Sequence, residues 1–199
     1  MIATIILGNE SKDALASERC GDHLILWYTS NEGCAQAIVK YLMAGKENNE
    51  ILIIVLPFNE LQEFEKSLTK FRFSMEKSIN EGELFLFASE EILPTLNGDC
   101  SKFRETVETI HSMAATTGRN IRIVGRVAPV LFEQGDHKGA LTIEEIVDSY
   151  LMNARLICLY DTRRFHGLPD ECKQQIDDIH THSLSETKDG RIRLNKSTP

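Results

Sequence analysis

Apolar and polar positions fall into blocks along this chain, and the blocks alternate in period. Short continuous apolar runs are each followed by a longer stretch in which apolar residues recur three or four apart, the signature of buried strands alternating with amphipathic helices. After a lead containing IATIIL, the run HLILWY at residues 23–28 predicts a buried strand. Residues 32–43 predict a helix, with Cys34, Ile38, Tyr41 and Leu42 near one face. Gly45 is expected to close that helix in a left-handed conformation. The run ILIIVL at residues 51–56 is rich in β-branched residues and stops at Pro57, which predicts a strand buried on both faces in the middle of a sheet.

The alternation continues. A helix is expected over 59–71, a strand at 83–88 (ELFLFA), and a loop over 90–100, where Pro94 and Asn97-Gly98 interrupt any regular element. Then come a helix over 102–115, the strand IRIVG at 121–125, a loop around 135–139, a helix over 142–152 and the strand LICLY at 156–160. Pro169 suits the first position of a short helix reaching His180, because its missing amide proton costs nothing there. The tail at 186–199 lacks apolar periodicity and is expected to be frayed or flexible at its end. Strands joined by crossover helices imply a three-layer α/β fold of the RecA-like or Rossmann-like kind. Its central sheet should be mostly parallel, with about five to seven strands and helices on both faces. A chain of 199 residues that is 42% apolar suits one such core, and hence a single domain.

Charge narrows the partners. The net charge of -8 leaves no basic face for nucleic acid. No segment reaches the roughly 18 to 20 apolar residues that cross a bilayer, and the N-terminus lacks the basic flank of a secretory signal. The expectation is a soluble, cytoplasmic protein with neither nucleic acid nor membrane as partner. Its five cysteines are scattered and without CxxC spacing, as in reduced packing thiols.

The segment YTSNEGCAQ, between the first strand and its helix, stands where a nucleotide-binding protein places its phosphate loop. It offers one glycine, no lysine and an acidic Glu32, which would repel a polyphosphate at the helix N-terminus. Ser30 or Asn31 reads as a simple helix cap. The set His166, Cys172, His180 and His182 has metal-binding residue types but no zinc-type spacing, so no metal is expected, and these histidines read as surface or capping residues. Glu144 and Glu145 read as the first turn of a helix. No GxSxG elbow supports a nucleophile, so catalytic residues are expected to be none.

Taken together, GDHLILWYTS, a helix ending in MAG, ILIIVLP, IRIVGRV, an acidic helix, LICLYDTRRF and a late HTHSL resemble the MEDS domain, a sensory module of methanogens and methylotrophs. The resemblance spans roughly residues 20–184. It implies a RecA-like layout with a degraded phosphate loop, a role in prokaryotic signal transduction, and a small organic molecule as ligand, with no cofactor. It also raises the functional interest of His23. Many relatives join the module to a kinase or DNA-binding region; here output is expected through a homodimer or a signalling partner.

Ligands of open parallel sheets bind beyond the carboxyl ends of the strands. That edge should receive Tyr28, Ser30, Glu32, Arg126, Tyr160, Asp161 and Arg164, a mixture of aromatic faces and both charge signs that suits a small polar organic molecule. An ATP-binding RecA-like enzyme and a ligand-free interaction module are the alternatives.

Overall fold

Five strands form where the apolar runs lie. The computed structural model describes residues 14–17, 19–93, 100–165 and 170–197. Within them, β1 (His23–Tyr28), β2 (Ile51–Leu56), β3 (Leu84–Ala88), β4 (Ile121–Gly125), β5 (Ala154–Asp161), β6 (His182–Glu186) and β7 (Ile192–Ser197) form a seven-stranded sheet in the order β3-β2-β4-β5-β1-β6-β7. All pairings are parallel except β6 with β7. The IATIIL lead, the Pro94 and Asn97-Gly98 positions, and Pro169 lie outside the described residues.

Helices cover both faces because strand side chains alternate between them. Leu24, Leu26, Leu52, Ile54, Val124, Ile157 and Leu159 pack toward α1 (Asn31–Glu47), α2 (Phe58–Lys70) and α3 (Met75–Asn80). Ile25, Ile51, Ile53, Val55, Leu156, Cys158 and Tyr160 pack toward α4 (Ser89–Ile92), α5 (Ser101–Thr117), α6 (Val127–Glu133), α7 (His137–Asp148) and α8 (Asp170–Ile179). The result is the three-layer, mostly parallel α/β fold expected.

Several local expectations are corrected. β2 is buried throughout but sits second from an edge, and β5, longer and equally buried, holds the middle. Gly45 does not close α1, which runs on to Glu47 and ends at Asn48. A Cβ at Gly45 would come 2.6 Å from Leu52 and 2.8 Å from Arg122, so this glycine answers to close helix-to-sheet approach, and the positive φ falls on Asn49. α3 and α6 were absent from the pattern because short helices carry too few turns to show a period. α7 begins at His137 instead of residue 142, capped by the Asp136 side chain on the Gly139 amide at 2.9 Å. The tail is not wholly irregular: residues 192–197 form β7, which hydrogen-bonds to β6 with Ile192 buried, while the last two residues lie outside the described ones.

At the amino ends of the strands, Glu50 accepts from two buried arginines, Arg122 Nε and Arg155 Nη1, the latter at 2.8 Å. Arg122 also donates to the carbonyls of Leu15, Tyr41 and Ser17, and Arg155 to that of Arg19, which ties the preceding segment to the sheet.

Candidate functional site

The chain runs from β1 toward the β3 edge, then returns through β4 and β5 and passes to the far side of β1 at β6. At the carboxyl ends of the strands around that reversal lies a cavity of about 370 Å³. Its floor is apolar, from Leu56, Leu159 and Phe64, and its walls are charged. Tyr28 ends β1. Arg126 follows β4 and is fixed by its own amide on the Val55 carbonyl at 3.0 Å.

Asp161 ends β5, and the turn after it brings back Arg163 and Arg164. Arg163 donates to both Asp161 oxygens, at 2.8 and 2.7 Å, and to Asn31 Oδ1 at 2.9 Å. Arg126 and Arg164 share two acids: Glu60 receives Arg126 Nη1 at 2.7 Å and Arg164 Nη1 at 2.9 Å, and Glu133 receives both arginines as well. Arg126 Nε is buried and has no hydrogen-bond partner, and Tyr28 Oη lies 3.4 Å from Arg126 Nη1.

Burial opposes the charge on Asp161, but the bonds from Arg163 outweigh it and hold the carboxyl below its ordinary range. Burial pushes the Tyr28 hydroxyl and the Cys34 thiol far up, so both stay protonated. Cys34 is therefore no thiolate nucleophile, and no lysine lines the cavity among the described residues. The arrangement can bind and orient a polar molecule.

Next to the cavity is the loop between β1 and α1. Ser30 caps α1, accepting from the Gly33 amide at 3.0 Å. The amides of Thr29 and Ser30 and both their hydroxyls donate to the carboxylate of Glu186, at 2.6 to 2.9 Å. An anion thus does sit at this helix N-terminus, and it is the protein's own. Glu32, expected to be the repelling charge, is exposed on the first turn, and the carboxylate at the amides arrives from the end of β6.

Of the residues read from sequence, Tyr28, Arg126, Asp161 and Arg164 meet at the cavity, with Ser30 on the adjoining loop. Glu32, Tyr160 and His23 do not line it. Tyr160 is one position from Asp161, so its side chain leaves through the opposite face of the sheet, and His23 begins β1 at the far end. Asn31, Glu60, Glu63, Arg163 and Glu186 were missed. Glu60 and Glu63 stand three apart on α2, a spacing that reads equally well as a solvated helix face.

On the opposite face Tyr160 donates to Glu144 Oε1 at 2.6 Å, and Glu144 stands beside Cys158, His23 and His180, all buried. Glu144 lies well inside α7 instead of in its first turn, and its depth reverses the expectation of a dipole-facing acid. Burial opposes its charge, but His180 and His23 bring its carboxyl down to about 2. Burial holds the His180 imidazole down to about 4. Of the surface or capping roles expected, the surface one fails, since His180 and His182 are buried; His180 does cap, its Nδ1 2.6 Å from the Ile176 carbonyl at the end of α8, and His182 turns to the other side, 3.6 Å from Asp22. Cys172 is half-buried on α8, and His166 lies outside the described residues.

No helix among the described residues is long and apolar enough to cross a membrane. No curated protein matches the sequence. The model of the methanogen/methylotroph, DcmR sensory domain family (MEDS) matches residues 22–181, most of the chain and the first five of the seven strands. The chain belongs to the MEDS family of sensory domains.

Proposed function

We propose that this protein is a non-catalytic sensory module whose cavity at the carboxyl ends of β1, β2, β4 and β5 takes a small polar organic molecule. The observation that carries the reading is the charged ring of Arg126, Glu60, Arg164 and Glu133 above an apolar floor, with Arg126 Nε buried and lacking an acceptor. Acids and arginines balance around the cavity, which favours a neutral or zwitterionic ligand with one acceptor for Arg126 over a polyanion. Output passes through a homodimer or a signalling partner in the cytoplasm of a prokaryotic cell. The strand order and the β1-loop-α1 opening support a RecA-like layout, and the Glu186 carboxylate on the loop amides supports a phosphate loop that no longer serves nucleotide.

A metabolite screen by thermal shift tests this. A binder should raise the midpoint of the wild-type chain, and Arg126→Gln and Asp161→Ala should each reduce that shift while the circular dichroism of the fold persists. A shift unchanged in both variants would move the ligand elsewhere. A screen of polar metabolites with no binder would favour the ligand-free interaction module.

A further inference from the structure

Four residues with metal-ligating atoms converge beneath α7, on the face of the sheet opposite the cavity: His23 opens β1, Glu144 comes from α7, Cys158 from β5, and His180 from the turn between α8 and β6. Their ligand atoms all lie within 4.8 Å of one another, and all four residues are buried. His23 Nε2 is 3.3 Å from Glu144 Oε2 and 3.6 Å from Cys158 Sγ, and Cys158 Sγ is 3.4 Å from the same Glu144 oxygen. A tetrahedral zinc site, with bonds of about 2.0 to 2.3 Å, separates its ligand atoms by roughly 3.3 to 3.8 Å. Three edges of such a tetrahedron are already in place.

The surroundings orient both imidazoles for coordination. His180 Nδ1 is 2.6 Å from the Ile176 carbonyl, so it carries the proton and leaves a lone pair on Nε2. That Nε2 is buried without a hydrogen-bond partner, 3.9 Å from Glu144 Oε1. His23 Nδ1 faces Asp148 Oδ1 at 3.4 Å, which turns its own Nε2 toward Cys158 and Glu144. Metal-bound histidines characteristically give their outer nitrogen to a carbonyl or carboxylate, as His180 does, and the Tyr160 hydroxyl restrains Glu144 similarly. A thiolate and a carboxylate also neutralise a divalent cation, leaving no net charge in a buried place.

We infer that His23, Glu144, Cys158 and His180 form a closed tetrahedral site for a divalent transition metal of the zinc type. On binding, four ligand bonds to the metal form and its waters leave. Cys158 releases its thiol proton to solvent, together with any proton held between His23 and Glu144. Four protein ligands leave no open position, so the metal's role is structural, pinning β1, β5, α7 and the end of α8 to one another.

The full chain, refolded from denaturant with Co²⁺ or expressed in zinc-supplemented medium, provides the test. One metal per chain is expected, and the cobalt form should show intense tetrahedral visible bands with a thiolate charge-transfer band in the near ultraviolet. Cys158→Ser should lose the charge-transfer band, and His180→Gln should lower stoichiometry at limiting metal. Cys172→Ser should leave both intact, which separates this site from adventitious binding by another cysteine. The thermal midpoint of the wild-type chain should fall on removal of the metal. A folded wild-type chain carrying no metal by either route would overturn the inference, as would a thiolate band that survives Cys158→Ser.

Discussion

Glu50 shows how much a single side chain carries in this fold. Its carboxylate is the shared acceptor of Arg122 and Arg155, all three buried, and each arginine in turn holds backbone carbonyls of the segment before β1. Removing one member of a buried ion cluster leaves uncompensated charge, so Glu50→Ala should cost about 3 to 5 kcal/mol, read from the urea midpoint. Exposed Glu47→Ala, nearby on α1, should stay within about 0.5 kcal/mol. Asp161 gives the pH counterpart. Its folded pKa lies below the ordinary value, so its contribution is complete above the unfolded pKa and is lost as pH falls through the folded one. The stability gap between wild type and Asp161→Asn should therefore be full at pH 7 and shrink below about pH 4. A gap that widens toward acid would contradict the assignment. The role of Glu50 was not legible in the sequence, since it follows a polar run and nothing local marks it as a buried acid between strands, whereas Asp161 stands at a strand end beside the arginines of the following turn, where a pair or cap is a local reading.

At the scale of elements, the β1-α1 junction is where pattern and structure part most usefully. The strand, the helix and the Ser30 cap follow from local rules, because periodicity and capping act over a few residues. The anion at that junction does not, since Glu186 lies more than a hundred and fifty residues away along the chain. Glu186→Gln should cost about 1 kcal/mol or more, by weakening several charge-assisted bonds to the Thr29 and Ser30 amides and hydroxyls. In the wild-type chain, calorimetric titration with ATP and magnesium should show no saturable binding. Tight binding would mean that the carboxylate yields its place to phosphate. Gly45→Ala tests the neighbouring contact: with Leu52 and Arg122 at the Cβ position, the change should destabilise by about 1 to 3 kcal/mol through overpacking, where an open helix surface would gain from alanine.

For the whole molecule, the remaining expectation is self-association. Most soluble oligomers are closed two-fold dimers, and a sensory module needs a surface through which to report. Light scattering at high micromolar concentration should give twice the 22.5 kDa chain mass. A monomer there would leave signalling to a different partner. The sequence by itself determined the alternation of strands and helices, and with it a parallel, doubly covered sheet, because each apolar run carries its own period and crossover connections admit few arrangements. It also placed Tyr28, Arg126, Asp161 and Arg164 on one edge, since strand ends are local features and the carboxyl ends of parallel strands share a side. Tertiary structure alone decided the rest. It alone set which strand takes the middle, which face Tyr160 and His23 serve, and which acid answers Arg126. It also alone brought Glu144, Cys158 and His180 together with His23. Those outcomes depend on register and on packing between distant segments, and a one-residue change of parity in a strand reverses the face a side chain occupies.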